Sequence, residues 1–213
     1  MRKSVLIVAA AAAAAVSFGA LQAQGGPPAI PGQLDTSRVQ AGTYKTDKNH
    51  SLIGWRVNHL GFNDYFGIFG NVDATLTLDP ANLAGATVDA TIPINPLVAS
   101  QQLHDHLLKP APEGGKADFF GANPAAAHFV STKVTANGNK ATIDGNLTLN
   151  GVTKPVTINA EFSGAGNAMG SNKPTVGFEG TATIKRSDFG VSYGVPIISD
   201  EVELQLTAAF EKQ

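Results

Sequence analysis

The chain has 213 residues, no cysteine and a formal net charge of −2 at pH 7. Removal of Arg2 and Lys3 with a cleaved leader would leave 13 basic against 17 acidic side chains, which disfavours nucleic acid as a partner. The absence of cysteine excludes disulfides, and the length fits a single domain better than two.

The first 23 residues have the pattern of a secretory signal peptide. Arg2 and Lys3 precede an uncharged apolar run over residues 5–15, and small residues follow up to Ala23. The run is shorter than the roughly 20 residues that a membrane-spanning helix needs. We expect export and cleavage after Ala23, with cleavage after Ala20 as the alternative.

Residues 24–42 are predicted to form a flexible leader, because this segment is rich in glycine and proline and poor in apolar side chains. The folded domain is expected to occupy residues 43–213, with regular structure beginning near Tyr44.

From residue 51 onward, apolar side chains recur at every second position, which is the pattern of half-buried β-strands. Seven or eight such strands are predicted. Their apolar positions include Ile53, Trp55 and Val57; Ala74, Leu76 and Leu78; Val88, Ala90, Ile92 and Ile94; Ile143, Leu147 and Leu149; Val156, Ile158, Ala160 and Phe162; Phe178, Ala182 and Ile184; and Val202, Leu204 and Leu206.

Turn residues separate the strands and indicate antiparallel hairpins: Asn137-Gly138, Asn150-Gly151 and the stretch 164–170. One helix is predicted over residues 96–108, ending before Pro110 and Pro112. One helix cannot cover the apolar faces of so many strands, so a sandwich and a closed barrel both remain possible. In a barrel of about eight strands, the helix could lie across an opening.

Several stretches resemble the YceI-like polyisoprenoid-binding family. The opening pattern comprises Tyr44, Asp47, His50 and Ser51, then Trp55, His59, Gly61, Gly67 and Phe69. The later patterns are 145–156, 178–184, 186–190 and 199–204, in the same order and spacing, so the resemblance covers residues 44–210. One departure is the segment 109–116, which lengthens the connection between the helix and Phe119-Phe120.

The resemblance implies an all-β, lipocalin-like antiparallel barrel that holds a polyisoprenoid in the periplasm. It implies a binding protein that sequesters or carries a polyprenyl or quinone-type lipid, with no cofactor other than this ligand and no catalysis. Membrane contact is expected to be transient at most, and the protein to be a monomer or homodimer. The alternative is an enzyme or redox accessory protein that acts on or with an isoprenoid quinone.

The candidate ligand-binding residues are the apolar and aromatic side chains that this resemblance places around the pore. Each of them is equally compatible with an ordinary core position. They are Ile53, Trp55, Val57, Phe62, Phe66, Phe69, Leu76, Ile92, Phe119, Phe120, Phe129, Ile143, Leu147 and Ile158.

Metal binding and catalysis are both disfavoured by the spacing of the polar residues. His104 and His106 are two apart and would point to different faces of a helix, without a cysteine or a positioned carboxylate to complete a ligand set. Asp47, His50 and Ser51 have the residue types of a hydrolase triad, but no nucleophile elbow surrounds the serine. A turn that opens the first long strand explains them better.

Overall fold

The computed structural model describes residues 29–213. The predicted signal peptide and the start of the predicted leader lie outside the described residues. The strands are β1 (Gly42–Thr46), β2 (Leu52–His59), β3 (Asn63–Phe69), β4 (Asp73–Leu78), β5 (Thr87–Ile92), β6 (Pro96–Val98), β7 (Ala127–Asn137), β8 (Lys140–Leu149), β9 (Val152–Asn167), β10 (Pro174–Lys185) and β11 (Glu201–Lys212).

These strands form one antiparallel sheet that closes on itself. Strands β1, β4, β5, β7, β8, β9, β10 and β11 pair in that order, and β11 pairs back with β1. Strand β11 also pairs with β2, which leads through β3 to β6. The predicted antiparallel barrel of about eight strands is therefore confirmed, and the sandwich alternative is excluded.

The barrel has two ends that differ in what covers them. We call one the termini end: it carries the start of β1, the C-terminus and the connections 79–86, 138–139 and 168–173. The other is the helix end, which carries the connections 60–62, 99–126, 150–151 and 186–200. The long strands β7 to β11 run between these two ends, whereas β1 and β2 follow each other along the same edge of β11.

The one α-helix among residues 29–213, α1 (Gln101–Leu107), lies at the helix end, as predicted, but is shorter than expected. The Ser100 hydroxyl accepts a hydrogen bond from the Leu103 amide at 3.2 Å and so caps the first turn. The prediction of helix over residues 96–108 is wrong for Pro96–Val98, which pair with Gly67–Phe69 as β6. No helix in the described part of the chain is long and apolar enough to span a bilayer.

The segment before β1 is not a free chain over its described part. Gln33 and Ala165 exchange two backbone hydrogen bonds of 3.0 and 2.9 Å, which fix the segment against β9. A side chain at position 166 would meet the Pro31 carbonyl at 2.1 Å, so this approach requires Gly166. The predicted turn over residues 164–170 is therefore wrong for residues 164–167, which belong to β9, and the turn itself spans residues 168–173.

The predicted turn at Asn150-Gly151 is confirmed. Both residues have positive φ, 54° and 76°, as a tight hairpin of type I′ requires. At the same end, the ladder between β9 and β10 stops at the pair Asn159–Thr181, while β10 continues to Lys185. A short 3₁₀ helix, Arg186–Phe189, follows β10 and places the buried Phe189 against this part of the wall.

Candidate functional site

The interior of the barrel is lined by apolar side chains that their neighbours do not cover completely. Ile143, Ile158, Phe178 and Leu206 lie in the middle of long strands and alternate with outward polar residues. All four remain partly accessible even though they occupy inward positions. A core filled to the usual density would bury such side chains completely, so strands β8 to β11 border space that the protein's own side chains leave open.

Most of the predicted lining residues lie on this inward face. Ile53, Trp55, Val57, Phe69, Phe120, Ile143, Leu147 and Ile158 are partly buried and pack against the core. Leu76, Ile92 and Phe129 are fully buried on the side of the barrel formed by β4, β5 and β7. Their contact with a ligand stays a prediction.

Two of the predicted lining residues, Phe62 and Phe66, do not face the interior. Phe62 is 88% exposed at the turn between β2 and β3. Phe66 is 62% exposed because it pairs with Arg56 on the outer face of the sheet. The register of β3 instead gives the inward positions to Tyr65, Gly67 and Phe69, which pair with Val57, Trp55 and Ile53.

Several inward residues were not among the predicted lining residues. Phe178, Val156, Leu149 and Leu204 are partly buried against the core clusters, and Phe189 is buried. The period-two pattern already marked the first four as apolar strand positions, so that pattern could have found them. Phe189 carries no such signal, because a 3₁₀ helix delivers it to the wall.

Trp55 is placed by its cross-strand partner. Its indole ring lies directly over Gly67, where any side chain would come within 2.1 Å of the ring. The indole N–H is covered and has no hydrogen-bond partner among the described residues. Burial of an unpaired donor costs free energy, so Trp55 serves the interior as apolar surface rather than as a polar anchor.

An aromatic cluster closes the helix end. The rings of His106, Phe119 and Tyr193 lie 5.0 to 5.5 Å apart, and His106 Nε2 is 3.0 Å from Asp118 Oδ2. The neighbouring Phe120 turns inward and meets the Phe69 ring edge-on at 6.1 Å. Phe119 therefore belongs to the cover, and Phe120 is the side chain that reaches the interior.

The loop over residues 187–200 is held by one buried cation, Arg186. Its guanidinium donates hydrogen bonds of 2.8 to 3.1 Å to the carbonyls of Val191, Tyr193, Ile198 and Ser199. Burial lowers the pKa of Arg186, and the nearby Asp200 opposes this shift. The guanidinium is solvated by backbone carbonyls, which gives Arg186 a structural role.

Asp47, His50 and Ser51 form a turn rather than a triad. The Asp47 carboxylate accepts a hydrogen bond from the Asn49 amide and lies 2.6 Å from His50 Nδ1, which lowers the pKa of Asp47. The Ser51 hydroxyl is bonded instead to the backbone of Ala209, to its carbonyl at 3.3 Å and from its amide at 3.2 Å. Ser51 therefore joins β11 to the turn that separates β1 from β2.

The histidines are dispersed. His104 contacts Gln101 and Asp105, whereas His106 contacts Asp118, and His59 lies against Tyr65 with ring centroids 6.0 Å apart. Over residues 29–213, no three side chains of the kinds that ligate metals lie close enough to share an ion.

A concavity of about 610 Å³ lies on the outer face of β7 to β11. Polar residues such as Thr142, Asn159, Glu161 and Thr181 line it, so it does not suit an apolar ligand.

Comparison with known proteins assigns the chain to a protein family. The YceI-like domain matches residues 44–210. The chain belongs to the YceI-like family. A UPF0312 protein of Pseudomonas aeruginosa is 41% identical over 175 residues, which are 80% of this chain and 87% of that protein. Protein YceI of Salmonella heidelberg is 37% identical over 171 residues, 79% of this chain and 86% of the relative.

Solved structures share the barrel. Burkholderia cenocepacia BcnA superimposes with a TM-score of 0.65 and 27% identity over 77% of this chain and 98% of BcnA. The YceI protein of Campylobacter jejuni gives 0.60 and 28% over 73% of this chain and 90% of its own. A polyisoprenoid binding domain from Saccharophagus degradans gives 0.50 and 13% over 82% of this chain and 100% of that domain, a likeness of fold alone.

Proposed function

We propose that this YceI-like protein is an exported periplasmic carrier that holds a long-chain isoprenoid lipid, of polyprenyl or quinone type, inside its barrel. The observation that carries the proposal is the set of mid-strand inward side chains, Ile143, Ile158, Phe178 and Leu206, which are apolar and only partly covered. The polyisoprenoid binding domain from Saccharophagus degradans, whose fold is similar, supports the choice of ligand.

The physics of such a site favours a long apolar tail. Each Å² of apolar surface removed from water contributes roughly 25 cal/mol, so affinity grows with the buried length of the chain. Trp55 offers no accessible polar group, because its N–H is covered by the protein. The interior therefore selects for apolar length more than for a particular headgroup.

The lipid is proposed to pass through the helix end. Phe120 of the segment after α1 packs against Phe69 inside the barrel, while residues 109–116 are all exposed. The Phe120 amide donates to the Leu107 carbonyl at 3.0 Å, so the aromatic plug is tied to the helix. Deletion of residues 111–115 would shorten this connection. We expect the barrel to keep its stability while the rate of lipid exchange between vesicles changes.

Export is proposed from residues 1–23 alone, and its test is direct. N-terminal sequencing of the protein from a periplasmic fraction should begin at Gln24, or at Leu21 for the alternative cleavage site. A mature protein that retains Arg2 and Lys3 would overturn the proposal of export by cleavage.

Ligand binding is tested by organic extraction of the purified protein followed by mass spectrometry. We expect an isoprenoid lipid in a stoichiometric amount. Trp55→Glu places a charge against the apolar wall and should empty the barrel. Gln205→Glu is the matched control, because Gln205 lies on the outer face of the neighbouring β11 and should leave occupancy unchanged. A folded Trp55→Glu protein with full occupancy would contradict the inward assignment.

A further inference from the structure

Exposed apolar side chains gather at the helix end of the barrel. Leu60 and Phe62 lie in the turn between β2 and β3, and Tyr193 and Ile197 lie in the loop after the 3₁₀ helix. The two segments are joined by a hydrogen bond of 3.1 Å from the Leu60 amide to the Ile197 carbonyl. We call residues 60–62 and 190–198 the apolar tip.

The apolar tip carries no Asp, Glu, Lys or Arg. The stretch 190–198 reads Gly-Val-Ser-Tyr-Gly-Val-Pro-Ile-Ile, and the turn reads Leu-Gly-Phe. Phe62 is 88% exposed and Ile197 is 66% exposed, so these side chains project into solvent rather than complete the core. Phe66 and Leu97 continue the apolar surface on the outer face of β3 and β6.

The termini end is built differently. Charged pairs flank its hairpins: Lys140 lies 3.9 Å from Glu161, and Lys173 lies 4.0 Å from Glu211. The two segments of the apolar tip therefore form one uncharged apolar patch at the helix end, next to the ion pair of Arg56 with Asp64. Apolar surface of this kind on a soluble protein marks a site of interaction.

We propose that the apolar tip docks the barrel, helix end first, onto the surface of a zwitterionic lipid membrane. The proposal rests on the proposed function, since a carrier of membrane lipid must meet the membrane at its opening. Aromatic and aliphatic side chains on projecting turns suit the headgroup region of a bilayer, where Phe and Tyr rings partition favourably. The acidic mature chain adds no attraction to anionic headgroups, so docking depends on apolar insertion.

The geometry also links docking to the opening. Tyr193 of the apolar tip packs on His106 of α1 and on Phe119, with centroids 5.0 and 5.5 Å away. A membrane that takes up the apolar tip therefore touches the element that covers the interior. The lipid could then cross between bilayer and barrel without passing through water.

The test uses flotation of the full-length mature protein with phosphatidylcholine vesicles. We expect binding that survives high salt, because insertion of apolar side chains is not screened. Leu60→Ser combined with Phe62→Ser should weaken vesicle binding at least about tenfold, since the variant loses two apolar side chains that would insert. Met169→Ser is the matched control, because Met169 is 83% exposed at the termini end and should have no effect.

A fluorescent variant tests docking while it keeps a large apolar ring at position 62, so that a loss of folding is not mistaken for a loss of binding. The chain has a single tryptophan, so Phe62→Trp in a Trp55→Phe background reports on the apolar tip alone. Its emission should shift to the blue when vesicles are added. An unshifted spectrum, or equal loss of flotation in Met169→Ser, would overturn the docking proposal. So would a dimer in light scattering that Phe62→Ser dissociates while vesicles remain unbound, because the apolar tip would then be an interface between copies.

The two proposals fail separately. Protein that extracts with an isoprenoid lipid but never floats with vesicles overturns the docking site and leaves the carrier function standing. Protein that floats through the apolar tip but yields no lipid on extraction overturns the carrier function.

Discussion

The two ends of the barrel use the same strands in different ways. At the termini end, Tyr44, Phe162, Val176 and Phe210 are buried. At the helix end, inward residues of the same sheet, such as Trp55, Val57 and Leu204, stay partly accessible. Side chains of the strands therefore fill the termini end, whereas side chains of the loops and of α1 cover the other end.

This difference separates stability from binding. Side chains that fill the termini end are buried and leave no room for a guest. At the helix end some inward side chains are less buried, and the loop that covers them is held by hydrogen bonds such as those of Arg186 to four backbone carbonyls. Substitutions at the two ends should therefore affect different measurements.

The largest effect is expected from truncation of an aromatic residue at the termini end. Phe162→Ala should lower the free energy of unfolding by about 3–5 kcal/mol, because it opens a cavity in a filled core. Phe120→Ala, at the helix end, should lower it by only about 1–2 kcal/mol because the ring is already partly exposed. It should also speed the loss of bound lipid. Urea unfolding measures the loss of stability, and an exchange assay measures the release of lipid. Equal losses of unfolding free energy in the two variants would contradict the difference between the two ends of the barrel.

Arg186→Lys should lower the free energy of unfolding by about 2–3 kcal/mol. A lysine ammonium cannot reach four carbonyls that a planar guanidinium bridges, and buried acceptors are left unpaired. Hydrogen exchange should show the loss concentrated in residues 190–199. Arg38→Lys is the control, since Arg38 forms an exposed pair with Asp35 and should change stability by less than about 0.5 kcal/mol. Uniform loss of protection over the whole barrel would argue against a local role for Arg186.

The hydrogen bonds of Asp200 predict that the loop over residues 187–200 becomes less stable in acid. Burial raises the pKa of this carboxyl, but hydrogen bonds from the Ser187 hydroxyl and amide, at 2.7 and 2.9 Å, bring the net pKa below its usual value. Stability from a lowered pKa is present above the unfolded value of about 3.9 and is lost as the pH falls through the folded value.

Asp200→Asn should therefore cost about 1 kcal/mol near pH 7 and little near pH 3, as measured by unfolding at both pH values. Asp188→Asn is the control, because Asp188 is exposed and its carboxylate has no hydrogen bond among the described residues. A cost for Asp200→Asn that is the same at both pH values would show that the charge is not involved.

The smallest effect is expected for Trp55→Phe. The smaller ring buries less apolar area, which lowers the free energy of unfolding by about 1 kcal/mol. Removal of the unpaired indole N–H raises it by about as much. Thermal and urea unfolding should therefore change little. A loss above about 2 kcal/mol would show that the N–H makes a bond in solution.

The barrel itself could be predicted from the sequence, because the alternation of inward and outward side chains is a local property of an extended backbone. Ile143, Leu147 and Ile158 were found on the correct face for this reason, and Asn150-Gly151 specified its turn through the backbone conformation that these residues accept. The phase of β3 could not be predicted in this way, since Tyr65, Phe66, Ile68 and Phe69 offer apolar side chains to both faces.

The family, the class of fold and the apolar character of the interior follow from the sequence alone. Which residues reach that interior depends on how the strands pair in three dimensions. Pairing with β3 made a strand of Pro96–Val98, and pairing with β2 turned Phe66 outward. Both depend on the register between segments that are distant in sequence, and a local pattern does not contain that register. Arg186 and Phe189 gained their roles in the same way, from carbonyls and side chains that only the closed barrel brings to them.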